Sequence, residues 1–240
     1  MAVERLQRTL ARAWFGSRRA CEELIASGAV RVNDHEATLG DKVDPSVDEV
    51  RVRGVRLSTD PALRYLVLHK PAGVTTTMRD PHARSDLRAL LPKDGPRVFP
   101  VGRLDRDTEG LLLLTNDGEL ANRLAHPRHG VDKEYLAEVD GVPTERHLSR
   151  LMRGVDLDDG PATPVAVRSV GRAGQRTAIR VVMGEGRKRE VRRMLAAVGL
   201  PVRRLVRVRV GPVKLGRLRA GELRDLTPEE VQSLYRAAGL

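Results

Sequence analysis

Three acidic side chains stand close together in a loop bracketed by two glycines, where a carboxylate could react with a bound molecule. They are Asp105, Asp107 and Glu109. The apolar run Leu111–Leu114 that follows, closed by an Asn-Asp-Gly sequence, predicts a buried strand that ends in a tight turn. A loop beside a rigid core strand commonly holds a reactive side chain at a cleft. The residues alone leave a second interpretation open, in which the three carboxylates are simply solvated.

The whole stretch from Val101 to Gly118 resembles the catalytic motif of the RsuA/RluB-type RNA pseudouridine synthases. That motif combines Gly-Arg-Leu-Asp, a short loop with Thr and Gly, a Leu-rich strand and an Asn/Thr-Asp-Gly turn, all of which occur here. The resemblance implies that Asp105 is the catalytic aspartate, and that Arg103 contacts RNA phosphate or braces the loop. Whether such an aspartate attacks the base or the ribose is left open.

Two further segments resemble motifs of the same family. Lys-Glu-Tyr at 133–135 opens an alternating strand, and the resemblance implies that Tyr135 stacks on a flipped uracil and could relay a proton. The alternative is a core tyrosine with a satisfied hydroxyl. Residues 185–195 read EGRKREVRRML, and the resemblance implies that Arg187 pairs with Asp105. Such a pair would keep the carboxylate ionised.

Shorter matches lie at the two ends of the larger domain. Lys70 begins a Lys-Pro-Ala-Gly sequence that resembles the opening of the synthase domain, and residues 211–216 resemble its closing segment. The resemblance implies that Lys70 and Leu215 bind substrate, with Leu215 lining the uracil pocket. Glu190 stands where the family usually has glutamine.

The charge of the chain indicates a polyanionic partner. Lys and Arg number 43 against 32 Asp and Glu, which gives a net charge of +11. Nucleic acid is the first candidate for such a partner, and an anionic membrane surface is the second. Aromatic residues make up only 2% of the chain, which argues against a reader that stacks bases on a sheet. We therefore expect binding through Arg and Lys contacts to RNA phosphates.

Residues 1–58 form a separate small module in our interpretation. The segment from Ser17 to Asn33 resembles the S4 RNA-binding domain, and the resemblance implies RNA contacts by Arg18, Arg19 and Arg31. The alternative is a basic helical hairpin that only improves solubility.

Capping residues and alternation predict where several elements begin and end. Ser17 is placed to cap a helix and Gly28 to end it. Val30–Val32 and Val50–Val52 alternate as short strands. Asp117 is best explained as the N-cap of a helix that starts near residue 119.

A dense run of one charge sign follows the third motif. From Arg187 to Arg209 there are nine basic residues and one acidic residue. Such a run is usually a solvated face, but this density on a helix and the next strand favours a phosphate track. The residues that we expect to bind RNA there are Lys188, Arg189, Arg192 and Arg193.

Residue types that hold cofactors are scarce. Cys21 is the only cysteine, the six histidines show no metal-ligand spacing, and the glycines at 184 and 186 fit neither a P-loop nor a dinucleotide fingerprint. We therefore predict no metal and no cofactor. The sequence shows neither a secretory signal nor an apolar run of transmembrane length, and a reducing cytoplasm fits the single cysteine.

These observations predict an α+β protein with an S4-like domain at 1–58 and a synthase domain at 64–240, built on a mainly antiparallel sheet. The resemblance implies site-specific isomerisation of uridine in ribosomal RNA. Residues 118–127 are nearer the RluB branch, which implies the 23S RNA of the large subunit. The alternative is a non-catalytic RNA-binding or ribosome-assembly factor.

Overall fold

The computed structural model describes residues 3–13, 15, 17–57, 62–77, 86–92, 94–173 and 176–240. Its α-helices are α1 (Leu6–Arg12), α2 (Arg18–Ala26), α3 (Gly118–Ala125), α4 (Glu145–Arg153), α5 (Glu190–Ala197) and α6 (Pro228–Ala237). Its strands are β1 (Glu4–Arg5), β2 (Val30–Val32), β3 (His35–Glu36), β4 (Lys42–Val43), β5 (Val50–Val52), β6 (Val55–Arg56), β7 (Tyr65–Lys70), β8 (Phe99–Pro100), β9 (Thr108–Thr115), β10 (Lys133–Asp140), β11 (Val155–Leu157), β12 (Gly160–Ala162), β13 (Ala166–Ala173), β14 (Arg176–Met183), β15 (Val202–Val210), β16 (Val213–Lys214) and β17 (Leu223–Asp225). Two short 3₁₀ helices span Leu87–Leu90 and Pro127–His129.

The N-terminal unit packs α1 and α2 on a small sheet of order β3-β2-β5-β6. The Ser17 side chain accepts a hydrogen bond from the Ala20 amide (3.3 Å) and so caps α2. Gly28 follows the helix with a φ of 72°, a conformation that glycine adopts without strain. Val30–Val32 and Val50–Val52 are strands, so the predicted cap, helix end and strands are all confirmed.

The remaining described residues build a nine-stranded sheet with the order β13-β14-β10-β15-β9-β7-β17, to which β16 and β8 add at β15 and β9. The pairs are antiparallel except for β15 with β9, which is parallel. This arrangement confirms the α+β class and the mainly antiparallel sheet.

Strand β9 is buried on both faces, which explains its run of four leucines. Leu111 and Leu113 belong to the apolar cluster that includes α3 and α6. Leu112 and Leu114 belong to a second cluster on the other side, with Leu87. A third cluster covers β10 and β14 with α4 and α5. The centre of the sheet is therefore rigid where β9, β10 and β15 lie side by side.

Gly110 allows β9 and β15 to approach each other. Its φ is 107°, and a Cβ atom at this position would lie 2.3 Å from the backbone oxygen of Arg207. No larger residue could occupy that space without moving one strand. The loop that carries Asp105 and Asp107 and leads into β9, here called the acidic loop, is thereby held next to β15.

The N-terminal unit contacts the larger one directly. Val55 packs against the apolar cluster of α3 and α6, Arg56 pairs with Glu119, and the Gln232 side chain donates to the Ala13 carbonyl (3.0 Å). Residues 58–61, between the two units, lie outside the described residues. No helix within the described ranges is long and apolar enough to cross a membrane.

Candidate active site

A cleft of about 600 Å³ opens where the acidic loop, the strands β10 and β15 and the start of α5 meet. Asp105, Tyr135 and Arg187 all line it, although they come from three segments that are distant in the sequence. Arg103 and Lys188 also line it and are exposed. Arg189 lines it as well, so the structure brings together six of the predicted site residues.

The three carboxylates of the loop have different surroundings. Asp107 accepts two hydrogen bonds from Arg189 (2.7 and 2.9 Å), and Glu109 accepts two from Arg204 (both 2.9 Å). These bonds hold the pKa of both carboxyl groups below its usual range. The side chain of Asp105 has no hydrogen bond or ion pair to any described residue, and it alone of the three lines the cleft. Asp105 is therefore the carboxylate that is free to meet a ligand.

Lys70 does not lie in the cleft, so the expected substrate contact is wrong. Its side chain is fully buried, and its ammonium donates to the carbonyls of Pro71 (2.9 Å), Val74 (2.8 Å) and Arg106 (3.4 Å). Burial lowers the pKa of Lys70 to about 8, so the group is still mainly charged at neutral pH. Lys70 braces the backbone next to Asp105 rather than binding a ligand.

A second brace holds the other side of the acidic loop. The Thr76 hydroxyl donates to the Leu104 carbonyl (2.7 Å) and accepts from the Leu104 amide (3.2 Å). The Gly73 amide donates to the Arg106 carbonyl (2.7 Å). Residues on both sides of Asp105 are therefore bonded to the segment after β7, which fixes the position of the reactive side chain.

The expected ion pair between Arg187 and Asp105 is not present in the structure. The Arg187 guanidinium instead binds Glu190 (2.9 Å), Asp159 (3.1 Å) and Glu185 (3.1 Å). It also donates to three backbone oxygens in the β11–β12 hairpin. Because its Nε and both Nη atoms are engaged, Arg187 would have to exchange partners to pair with Asp105.

Glu190 is the buried carboxylate among the three that bind Arg187. It accepts hydrogen bonds from the backbone amide (3.0 Å) and the Nε (2.9 Å) of Arg187. Burial, followed by a hydrogen bond with Glu185, raises the pKa of Glu190. The acid at this position therefore fixes the start of α5 to the guanidinium that lines the cleft.

Most of the expected phosphate track is already neutralised. Arg193 binds Asp159 through two hydrogen bonds (2.9 and 2.8 Å), and Arg189 binds Asp107 in the same way. Arg192 is only 11% exposed and donates to the Asp107 carbonyl (2.9 Å), so it does not present its charge to RNA. Lys188 is the member of the set that is exposed and without a partner among the described residues.

The remaining predicted residues fall in two places. Leu215 does not line the cleft, and it packs in the apolar cluster with Val210, which does. The expected uracil contact by Leu215 stays a prediction, since the side chain packs next to the wall of the cleft. Arg18, Arg19 and Arg31 are exposed on the N-terminal unit. Within the described part of the chain, no three His, Cys, Asp or Glu side chains gather as a metal site.

Two cleft residues were missed in the sequence. Lys133 and Arg207 line the cleft, yet they are only 8% and 5% exposed. A signal existed for Lys133, which stands two residues before Tyr135 and so on the same face of β10. Arg207 belongs to the basic run that was expected to form a phosphate track. Its burial follows from pairing with Tyr135 in the centre of the sheet, which the sequence does not show.

Comparison with known proteins agrees with this geometry. Residues 64–197 match the family model of RNA pseudouridylate synthases, and residues 4–48 match that of the S4 domain. The first match covers more than half of the chain. The chain belongs to the RNA pseudouridine synthase family. The resemblance to RsuA/RluB-type synthases is thereby confirmed.

Individual relatives of this pseudouridine synthase match almost its whole length. An uncharacterized RNA pseudouridine synthase of Mycobacterium tuberculosis is 50% identical over 242 residues, which cover 98% of this chain and 94% of the relative. Ribosomal large subunit pseudouridine synthase B of Bacillus subtilis is 41% identical over 239 residues, covering 98% and 97%. A crystal structure of a pseudouridylate synthase has a TM-score of 0.63 and 28% identity, and covers 96% of this chain and 99% of its own.

Proposed function

We propose that this RNA pseudouridine synthase isomerises one specific uridine in the 23S RNA of the large ribosomal subunit. The relative from Bacillus subtilis is named for activity on the large ribosomal subunit, and it matches this chain over nearly its full length. The observation that carries the proposal is the convergence of Asp105, Tyr135 and Arg187 on one cleft.

The reaction moves uracil from an N1 to a C5 glycosidic bond, so it needs an extruded base and a reactive carboxylate. Asp105 supplies the carboxylate, because its side chain lines the cleft without a partner among the described residues. Tyr135, half-buried in the same wall, offers a ring on which the base stacks. Arg187 contributes positive charge at the cleft, and pairs with Asp105 once it leaves one of its present carboxylates.

The RNA backbone is bound outside the cleft in this proposal. Arg103 and Lys188 are exposed at its rim and would contact phosphates next to the target uridine. Three exposed arginines of the S4-like domain at 1–58 would hold a more distant part of the RNA, while 64–240 is the catalytic domain; these arginines are Arg18, Arg19 and Arg31. The isomerisation transfers no electrons, so the enzyme needs no cofactor, and its ribosomal substrate implies a cytoplasmic location.

The test is a map of pseudouridines in ribosomal RNA from cells with and without this protein. We expect one position in 23S RNA to lose its modification, and to regain it with the wild-type gene but not with Asp105→Asn. A lost position in 16S RNA would contradict the choice of subunit. An unchanged map would contradict the ribosomal substrate altogether.

A further inference from the structure

Two nearly buried cations, Lys133 and Arg207, line the inner part of the cleft, here called its floor, and neither forms an ion pair with a described acid. Among the described residues, the Lys133 ammonium has no hydrogen bond and no ion pair. Arg207 forms no ion pair there either, and it donates from Nε to the Leu111 carbonyl (2.8 Å). Because little of either side chain is exposed, each cation is only partly hydrated, which is unfavourable for a charge without a counter-ion. Such a pair of cations is expected where a ligand brings the missing negative charge.

Strand geometry places these cations beside the tyrosine. Lys133 and Tyr135 are two residues apart on β10 and share one face of the strand. Arg207 is the direct partner of Tyr135 on β15, and the register between the two strands shifts at this point. A shift of this kind bends a strand and re-aims its side chains. All three side chains consequently line the cleft.

The reaction creates negative charge on the base by either of its possible routes. If the ribose is attacked, the C1′–N1 bond breaks and its electron pair stays on the uracil ring. If the ring is attacked by the carboxylate, electron density moves onto a ring oxygen. In both cases the C1′–N1 bond breaks, the C1′–C5 bond forms, and the bond that the carboxylate made to C1′ or to the ring breaks again. The C5 proton leaves and N1 gains a proton, so atoms and electrons balance. A cation beside the ring would stabilise that charge as it develops.

We propose that Lys133, together with Arg207, stabilises the negative charge of the uracil ring during the isomerisation. The inference rests on the proposed function, because it assumes that uridine enters this cleft. Burial, and next the charge of Arg207, lower the pKa of Lys133. An anion in the cleft would relieve that cost, which is the condition for binding the transition state more tightly than the ground state.

Phosphate is the other source of negative charge, and the positions of the cations favour the base. Lys133 and Arg207 are 8% and 5% exposed, whereas Arg103 and Lys188 are exposed at the rim. An RNA backbone at the surface would meet the exposed rim first. An extruded base, which leaves the backbone, would reach the nearly buried Lys133 and Arg207.

Single-turnover kinetics on an unmodified 23S RNA transcript test the proposal, with RNA affinity measured in parallel. We expect Lys133→Met to lower the rate constant by roughly 100-fold and to change the Kd for RNA by less than about twofold. Lys133→Arg, which keeps the charge, should retain more activity than Lys133→Met. Lys214→Met is the matched control, because Lys214 is exposed on β16 outside the cleft, and both quantities should stay at the wild-type value.

Two results would overturn the proposal: a weaker Kd with an unchanged rate constant, which would indicate a phosphate contact, or no change in either. If Lys133→Met does not fold, Lys133→Gln and Lys133→Arg allow the same comparison.

Barbiturate, a pyrimidine that is an anion at neutral pH, provides a probe that needs no RNA. Calorimetry should detect its binding to the wild-type protein and not to Lys133→Gln. A wild-type enzyme that binds barbiturate in this way but leaves 23S RNA unmodified would contradict only the choice of substrate.

Discussion

The floor of the cleft and the arginine-rich surface that runs from α5 to β15 differ in whether their cations have carboxylate partners. On the surface, Arg189, Arg193 and Arg204 each form two hydrogen bonds to a carboxylate from another part of the chain. On the floor, Lys133 and Arg207 have no carboxylate partner among the described residues. The density of charge in a sequence therefore does not identify the cations that bind a ligand. Those cations are identified by the absence of an acidic partner in the fold.

The same comparison explains why the basic run has a large excess of positive charge in the sequence although most of its arginines are paired with carboxylates in the structure. Its acids, Asp107, Glu109 and Asp159, are far from it along the chain, so the run appears unbalanced when it is read locally. Exposed ion pairs of this kind contribute little to stability individually. They join the acidic loop and the β11–β12 hairpin to α5 and β15, and so fix the outline of the cleft.

The largest effect is expected on stability, from changing the close contact between β9 and β15 at Gly110. Gly110→Ala should lower the free energy of unfolding by roughly 3 kcal/mol or more, since a Cβ atom would lie 2.3 Å from the Arg207 carbonyl oxygen. Gly141→Ala is the matched control. Gly141 also has a positive φ, of 86°, but no atom lies within 4 Å of the position of its Cβ atom. The control should cost only about 1 kcal/mol of backbone strain. Equal losses in denaturant titrations would show that the close contact of β9 and β15 is not limiting.

A smaller effect, confined to chemistry, is expected at Tyr135. Tyr135→Leu should lower the single-turnover rate constant by roughly 100-fold, because the ring that supports the base is lost. Tyr135→Phe keeps the ring and should lose less than about tenfold. A loss with Tyr135→Phe as large as with Tyr135→Leu would show instead that the hydroxyl relays a proton.

The smallest effect is expected on the paired surface. Arg204→Gln removes the partner of Glu109 and should cost about 1 kcal/mol of stability or less. The rate constant and the Kd for RNA should both stay within about twofold of the wild-type values. A large rise in the Kd would break the comparison, since it would mean that paired arginines leave their carboxylates for RNA.

Local signals predicted the elements that local physics determines. Ser17 and Asp117 act as N-caps, with Asp117 accepting from the Leu120 amide (3.0 Å). The leucine run is a strand because four consecutive apolar residues need burial on both faces. The motif resemblance led to Asp105, Tyr135 and Arg187, which meet in one cleft.

Contacts between distant segments could not be predicted in the same way. The partner of Arg187 is not Asp105 but Asp159, in a hairpin 28 residues earlier, together with Glu185 and Glu190. Lys70 resembles a surface lysine of a turn, yet three carbonyl groups bind its ammonium inside the protein. Each difference depends on which side chains the sheet brings together, and that depends on strand pairing between segments far apart in the sequence.

The most direct test of the account compares two neighbouring aspartates by tritium release from RNA labelled at C5 of uridine, since the C5 hydrogen leaves only when isomerisation occurs. Asp105 lines the cleft without a partner among the described residues, whereas Asp107 does not line it and is bound to Arg189. Asp105→Asn should abolish release, by a factor of at least about 1,000, while RNA binding persists. Asp107→Asn should keep substantial activity. Release by Asp105→Asn at the wild-type rate, or loss of release only in Asp107→Asn, would contradict the assignment of the reactive carboxylate.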